Sequence, residues 1–431
     1  MSNLKSAIKR LIPTQAYRTI EPHYHRAIAI AANIRYKFPA RDMHVIGVTG
    51  TNGKTTTSCM IHRMLTDAGY STALMTTVNY GVSNDITPTQ VHMTTADAKL
   101  LQRRIAAFRQ AGAEWLVLET TSHALAQHRT WGVPYEIGVM TNVTHEHLDY
   151  HGTFAHYLAS KLRLFRIVAT HGRRFGVYNA DDSTATSWKA AVPRSFSYGL
   201  HSGDLVATNV QLTAQGSTYD VSYGGIDYRI TCHIPGEFNI YNSLAAVAVG
   251  IELGLTPQQI EQGIAALTEV EGRMNTINEG QPYTAVIDFA HTPDSFEKLL
   301  SDLRQSTKGK LVVLFGSAGR RDESKRAIQG KIAGKYADEV VLTEEDDRDV
   351  DGNEILQQIA DGVRTNGKID GENLFLKLNR SDAIRFAVGR VSSQDDTVVF
   401  LGKGHEKVIE RADGEHPWDE AAEVRRAITQ Q

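Results

Sequence analysis

The chain predicts an α/β protein. It should hold a central domain with a parallel sheet around a phosphate loop, a Rossmann-like α/β domain after it, and a short helical segment in front. Three observations carry this. An apolar run, His44 to Val48, ends in the turn Gly50-Thr51-Asn52-Gly53-Lys54-Thr55-Thr56 and leads into a helical pattern from Thr55 to Ala68. Strand-like and helix-like runs alternate from there to about Asn179, as parallel strands with crossover helices do. The alternation resumes beyond Glu271-Gly272-Arg273, a linker-like stretch, with no second phosphate loop.

Strand, glycine loop, lysine, hydroxyl and helix make up the arrangement that holds a nucleotide phosphate. Backbone N–H groups and the helix N-terminus surround the anion, Lys54 places its charge on the outer oxygens, and Thr55 can reach Mg²⁺. Val48 stands where the usual G-x-x-x-x-G-K-[ST] spacing has its first glycine, so this is the shorter G-T-N-G-K-T-T form. A plain glycine turn with an exposed lysine would not need a strand before it and a helix after it.

A length of 431 residues allows two or three domains, drawn here at 1–42, 43–270 and 271–431. Lys and Arg number 46 against 49 Asp and Glu, and the net charge of −3 with mixed signs argues against a nucleic-acid surface. Two cysteines, Cys59 and Cys232, give neither a disulfide framework nor metal-type spacing, which fits a reducing cytoplasm. The segment Leu4 to Tyr36 reads as one or two helices broken near Pro13 and Pro22. Its apolar run, Ala27 to Ile34, is too short to span a bilayer, so packing on the next domain is expected ahead of membrane contact.

In chain order, Trp115 to Glu119, Ile137 to Val143 and Phe175 to Asn179 read as buried parallel strands with polar ends. Those ends, Glu119 to His123 and Asn142 to Asp149, should converge on the phosphate loop. Around Gly224-Gly225, alternating runs at Thr218 to Tyr223 and Tyr228 to Cys232 signal a hairpin. A loop from Pro235 to Asn242 and a helix from Ser243 to about Gly254 follow. Further on, strands are expected at Tyr283–Phe289, Leu311–Phe315, Glu339–Thr343, Leu374–Leu378 and Val398–Leu401. Helical patterns such as Ser295–Leu303 and Asn353–Val363 lie between them.

Three groups of residues carry chemistry. Glu119 and His147, at the ends of two strands near the loop, suit Mg²⁺ or Mn²⁺ beside a bound nucleotide. Lys161 lies on the helix Phe154 to Val168 with Tyr157 and Phe165 on its face, and by position alone it reads as a solvated lysine. Loops at Gly319 to Asp322, Glu345 to Arg348 and Gly402 to Glu406 follow strands of the second domain, where arginines suit a substrate carboxylate.

The stretches TGTNGKTTT, LETTSHALAQHR, TNVTHEHLDYHGT, YLASKLRLF, YNADD, GEFNIYN, EGRM, DFAHTPDS, GSAGRRDESKR and LGKGHE cover most of residues 44 to 410. In order and spacing the chain resembles the Mur ligases of peptidoglycan synthesis, most closely the MurE group. The resemblance implies ATP and Mg²⁺ as cofactors. Gly50 to Thr56 would hold the phosphates, with Thr55, Glu119, His147 and a CO₂-carbamylated Lys161 as magnesium ligands. Asn239 and Asn242 resemble the adenine contacts, and Arg273, Asp288 and His291 would also meet the nucleotide. Thr94, Thr95, Ser122, His123 and Arg129 fall where the group contacts its nucleotide-sugar peptide. Arg321, Asp346, Arg348, Gly402 and Glu406 fall where it contacts the free amino acid.

Two departures from the group pattern stand out. About forty residues precede the strand at His44, where the group carries a full uridine-nucleotide domain, and Glu345-Asp346-Asp347-Arg348 replaces Asp-Asn-Pro-Arg. Three carboxylates there favour a cationic side chain such as a diamino acid, while Arg348 still suits a distal carboxylate. The expected activity is amide-bond formation through an acyl phosphate, with Lys54, Glu119, His147 and Lys161 catalytic. Hinge closure near Gly272 would align the reactants. A folylpolyglutamate-type ligase with another acceptor, a P-loop kinase or switch, and a non-catalytic binding subunit remain the alternatives.

Overall fold

The computed structural model describes residues 14–89, 94–144, 146–213 and 215–431. The chain divides into two units. The first is Met1–Asn209, Tyr219–Ile230 and Tyr241–Ala266; the second is Val210–Thr218, Thr231–Ile240 and Leu267–Gln431.

The first unit opens with a helix, Thr14–Arg35, that runs through Pro22 without a break. This corrects the expected interruption there: a proline removes one i to i−4 bond, and the flanking turns hold the rest. Near its end Asn33 donates to the carbonyl of Trp131 at 2.7 Å, so this end of the helix is docked on the unit. The expected start at Leu4 and break at Pro13 lie outside the described residues.

Nine strands follow: β1 (His44–Thr49), β2 (Thr72–Met75), β3 (Asn79–Val82), β4 (Asp85–Pro88), β5 (Trp115–Glu119), β6 (Tyr135–Met140), β7 (Phe175–Asn179), β8 (Arg194–Gly199) and β9 (Leu205–Val206). They form one sheet in the order β4-β3-β2-β5-β1-β6-β7-β8-β9. From β2 to β9 neighbouring strands are parallel, while β3 and β4 add an antiparallel hairpin at one edge. β1 lies between β5 and β6, with Val48 paired to both Glu119 and Val139. The central strands read as unbroken apolar runs because helices cover both faces, and their side chains are buried accordingly. β6 ends at Met140, not at Val143, because Thr141 and Asn142 bend away to bond the phosphate loop.

The covering helices start with clear caps. Asp97 accepts from the N–H groups of Lys99 and Leu100 at 2.9 and 3.0 Å and opens Ala98–Gln110. Thr153 accepts from His156 N at 3.2 Å and opens Phe154–Val168, whose Tyr157, Leu164, Phe165 and Val168 enter the core.

Strands β10 (Thr208–Thr213), β11 (Gly216–Tyr223) and β12 (Ile226–Cys232) make a small separate sheet in that order. Gly224 and Gly225, at φ 59° and 79°, supply the two left-handed positions that a type I′ hairpin turn needs. The next helix is Phe238–Glu252, so Asn239 and Asn242 lie on its first turns and not in the expected loop.

In the second unit β13 (Asn275–Ile277), β14 (Thr284–Asp288), β15 (Leu311–Phe315), β16 (Glu339–Leu342), β17 (Leu374–Leu376) and β18 (Thr397–Leu401) form a sheet in the order β13-β14-β18-β15-β16-β17. All pairs but β13–β14 are parallel. Its own core is built from Val312, Leu314, Val341, Val398 and Phe400 against Ile384, Val388 and Val424. A hairpin of β19 (Val408–Arg411) and β20 (Gly414–Pro417) follows the last central strand. Among the described residues no helix is long and apolar enough to cross a membrane.

Candidate active site

In the first sheet β5, β1 and β6 are neighbours with their carboxyl ends on one side, so Glu119, the phosphate loop and Thr141 to Thr144 gather there. The chain runs from β1 toward β2 on one side and later to β6 on the other, which makes the loop a topological switch point.

The loop is held from both flanks. Thr51 N donates to the carbonyl of Asn142 at 2.8 Å and Asn52 N to its side-chain oxygen at 2.9 Å. The Thr141 hydroxyl donates to Asn52 O at 2.6 Å. Gly53, at φ 82°, caps the helix Lys54–Asp67, and a Cβ there would run into the amide of Asn242. A Cβ on Gly50 would collide with the Thr141 hydroxyl. Both glycines let backbone and neighbouring polar groups approach closely, as a cradle for phosphate requires. Lys54 donates to Thr51 O at 2.7 Å, folded over its own loop.

Glu119 is buried, and one of its oxygens accepts three bonds. They come from the Thr55 hydroxyl at 3.0 Å, the Thr77 backbone N–H at 2.9 Å and the Thr77 hydroxyl at 3.0 Å. A carboxylate and a hydroxyl at the mouth of a phosphate loop form a hard oxygen donor set, which fits a divalent cation beside a nucleotide. Among the described residues no three His, Cys, Asp or Glu side chains converge on one point. Of the predicted metal set only Glu119 and His147 belong to those types, the others being Thr55 and Lys161.

Lys161 is buried, 2% exposed, and its ammonium donates to Gly50 O at 2.5 Å over the ring of Tyr157. Burial first, and then the charge of Lys54, hold it well below a lysine's ordinary pKa. The solvated lysine expected from its position alone is therefore replaced by a buried amine against the phosphate loop. Tyr157 also reaches Thr51, hydroxyl to hydroxyl, at 3.0 Å.

His147 has a left-handed backbone at φ 55°, with its ring 4.7 Å from that of His123 and 3.6 Å from Glu146. His123 also meets Tyr150 and His151, with centroids at 4.4 and 5.3 Å. Burial, and then His147 and His151, lower its pKa to about 3. His151 bonds Ser122 at 3.1 Å. Thr95 donates to Glu119 O at 3.0 Å and accepts from Thr121 N at 3.0 Å, while Arg129 donates to Thr95 O. Thr94 precedes it, half-buried in a bend. Thr95, Ser122, His123 and Arg129 thus share the corner that follows β5. Asn242 accepts from Thr57 at 3.2 Å, and Thr56 is buried on the helix's first turn. Asn239 donates to Pro235 O at 2.6 Å.

In the second unit the loops after β18, β15 and β16 are adjacent, because those strands are adjacent. Lys403 is fully buried and bridges two carboxylates, Asp346 at 2.9 Å and Glu406 at 2.7 Å. Arg348 is engaged by Glu410 at 2.6 Å and Gly319 O at 2.6 Å, and Arg321 is exposed. Glu344 takes a two-pronged contact from Arg411, both bonds 2.8 Å. Glu345 lies beside Gly402, whose missing Cβ leaves room for the carboxylate. Burial and the neighbouring Glu344 and Glu345 push Asp347 up to about 6. Asp288 accepts from Met274 N and Ala290 N, each at 2.7 Å, with Arg273 lying 4.7 Å over the next ring, Phe289. His291 bonds Phe289 O at 2.8 Å.

Sequence reasoning missed Thr77 and Tyr157 as a hydroxyl partner, and it placed Lys403 in a chemistry-bearing loop without a role of its own. The Thr76-Thr77 pair after the apolar Ala73-Leu74-Met75 was the available signal for the first, hidden by a strand of only four residues.

Two α/β units, the first with a phosphate loop whose hydroxyl is tied to the carboxylate of the next strand, define a P-loop protein of the nucleotide-using class. Comparison with known proteins narrows this. The Mur ligase middle domain matches residues 48–250, and the Mur ligase glutamate ligase domain matches residues 272–404. A UDP-N-acetylmuramyl-tripeptide synthetase of Roseiflexus sp. is 38% identical over 97% of this chain and 84% of its own. A UDP-N-acetylmuramoyl-L-alanyl-D-glutamate–2,6-diaminopimelate ligase of Clostridium acetobutylicum is 34% identical over 88% and 77%. A solved structure of such a diaminopimelate ligase superposes with a TM-score of 0.64 at 29% identity, covering 96% of this chain and 83% of that one. The folylpolyglutamate synthase of Mycobacterium tuberculosis, at TM-score 0.72 and 18% identity, shares the fold. The chain belongs to the Mur ligase family.

Proposed function

We propose that the chain is an ATP-dependent, ADP-forming amide ligase of peptidoglycan precursor synthesis. It would add an amino acid to the terminal carboxylate of UDP-N-acetylmuramoyl-L-alanyl-D-glutamate. The observation that carries this reading is Glu119 at the mouth of the phosphate loop, bonded to Thr55 at 3.0 Å, in a chain aligned almost end to end with a tripeptide synthetase.

A carboxylate is a poor electrophile, so it must be activated before an amine can attack. Transfer of the γ-phosphoryl group to the acceptor carboxylate gives an acyl phosphate. Amine attack gives a tetrahedral adduct, and its collapse releases phosphate. The loop amides and Lys54 offset charge on the moving phosphoryl group. A magnesium ion held by Thr55, Glu119, His147 and a carbamylated Lys161 would supply Lewis acidity to the phosphate oxygens. Carbamylation is supported by the buried amine of Lys161, because only the neutral form attacks CO₂. Asn239, Asn242, Arg273, Asp288 and His291 are assigned to the nucleotide. Thr94, Thr95, Ser122, His123 and Arg129 are assigned to the acceptor.

The incoming residue we assign to a diamino acid, read by Arg321, Asp346, Arg348, Gly402 and Glu406. Asp346 and Glu344 already have cationic partners, whereas Glu345 and Asp347 have no ion pair among the described residues. Two such carboxylates favour an added ammonium group. We place the domain borders at 42/43 and 270/271 and the protein in the cytoplasm.

Phosphate release from ATP and Mg²⁺ tests the whole. It should require both the UDP-linked dipeptide and an amino acid, with lysine or diaminopimelate well ahead of alanine. Release indifferent to the amino acid would overturn the ligase, and dependence on an amino acid with a folate acceptor instead would favour the folylpolyglutamate alternative.

A further inference from the structure

We propose that His23 and Arg26 of the first helix, with His128 and Arg163, form a cradle for the diphosphate of the acceptor; this rests on the acceptor being a nucleotide-diphosphate sugar. The helix Thr14–Arg35 is docked beside the turn from Gln127 to Trp131. Asn33 bonds Trp131 O at 2.7 Å, and Glu21 accepts from the Gln127 amide at 3.4 Å. His23, Arg26, Ile30 and Asn33 follow the three- and four-residue spacing of a single helix side. The side that meets Trp131 at Asn33 therefore carries Arg26 about two turns and His23 about three turns toward the N-terminus.

His128 sits just past the short helix Ser122–Ala126 with a left-handed backbone at φ 54°. Arg163 borders it from another helix, placing one guanidinium nitrogen on the carbonyls of Leu125 and Ala126 at 3.1 and 3.2 Å. That contact neutralises the partial negative end of the short helix, which would otherwise repel an anion. His128 is thus bracketed by cationic groups from two elements.

The electrostatics agree with this geometry. The His128 pKa is lowered first by burial and then by Arg163, Arg26 and His23, and no acid is among the groups acting on it. Among the described residues none of the four side chains has a carboxylate ion pair. The only acid on the first helix is Glu21, which is engaged by Gln127, Tyr150 and His25 at 3.4, 3.3 and 3.9 Å. The guanidinium charges of Arg26 and Arg163, held near His128 without a carboxylate, raise the energy of the fold, and an anion of two or three charges removes that cost. His23 and Arg26 are exposed, so a ligand can reach them.

The placement also fits. The turn that carries His128 continues into Arg129, which bonds Thr95 O, and Thr95 bonds Glu119 O. An acceptor with its reacting end toward Glu119 would thus find the cradle further along the same turn. A planar guanidinium matches diphosphate oxygens two at a time.

The test uses the full chain with Arg26→Ser, chosen because Arg26 is exposed, and Arg26→Lys. In Arg26→Ser the KM for the UDP-linked dipeptide should rise about tenfold, while kcat and the KM for ATP hold and Arg26→Lys stays near wild type. The KM for the same muramoyl dipeptide without its nucleotide diphosphate should be equal in wild type and Arg26→Ser. Inorganic pyrophosphate should compete with the acceptor in wild type and about tenfold more weakly in the variant. An unchanged KM for the UDP-linked acceptor, or a rise confined to ATP, would overturn the cradle and leave the ligase standing. If no muramoyl acceptor supports turnover even in wild type, the ligase reading fails instead. Calorimetric binding of pyrophosphate then decides the cradle alone: weaker binding in Arg26→Ser supports it, equal binding overturns it.

Discussion

Lys161 shows how one residue's chemistry is set by its surroundings. On a solvated helix face it would stay protonated and inert toward CO₂. Buried against Gly50 O and near Lys54, its neutral form is favoured. Lys161→Ala should therefore lose ligase activity by about two to three orders of magnitude, what loss of a charged transition-state contact costs. Because a carbamate is a carboxylate on a tether, formate or acetate at millimolar concentration should restore part of the rate in the variant. Steady-state phosphate release checks both, and full activity without added carboxylate would remove the carbamate from the mechanism. Tyr157 bears on the same point, since its ring lies 4.6 Å from the Lys161 ammonium and its hydroxyl bonds Thr51.

Elements were legible in the sequence where their periodicity was long and their neighbours helical. β5, β7 and β15 lie where their apolar runs predict, because both faces are buried and nothing polar interrupts them. β2 and the β3–β4 hairpin were not, since four-residue strands rich in Thr, Asn and Gly give too little pattern to separate from a loop. The site divides the same way. Gly50 to Thr56 announce themselves by spacing, but Thr77 acts on Glu119 only because β2 and β5 pair, which no local signal reports. Helix contacts are a third case. Ser324–Tyr336 and Gly352–Arg364 approach so closely that a Cβ on Gly362 would strike Ala327 O, and one on Gly330 would strike Ile359 O. Alanine has the better helix propensity by about 1 kcal/mol, so Gly362→Ala would stabilise an isolated helix. Here overpacking against backbone should win, with a net loss of about 1–3 kcal/mol read as a lower urea midpoint.

At the scale of the whole molecule the two units differ in how acid acts on them. His62, in the first, is buried against Thr72 O at 3.1 Å, and burial lowers its pKa to about 4 from 6.5. A group with a depressed folded pKa contributes stability that is full above its unfolded value, here about 6.5, and is lost as pH falls through the folded one. The linkage relation puts that loss at about 2 kcal/mol by pH 5. In the second unit His405, lowered to about 3 by burial and then Arg273, has the same sign. Asp302 and Asp347, both raised to about 6 chiefly by burial, have the opposite one. Their charged forms cost stability at neutral pH, and that cost is relieved as pH drops from about 7 toward 4. Gains and losses therefore offset in the second unit, while in the first His62 and His123, the latter lowered to about 3, both act in the same direction. Of four tryptophans, Trp115, Trp131 and Trp188 belong to the first unit and Trp418 to the second, so Trp418→Phe makes the fluorescence report the first alone. Its urea midpoint should fall between pH 7.5 and pH 5, and His62→Gln, which keeps a donor for Thr72 O without titrating, should reduce that fall by about half and leave the share of His123. A first-unit midpoint that drops equally in His62→Gln would show that the acid sensitivity lies with other groups.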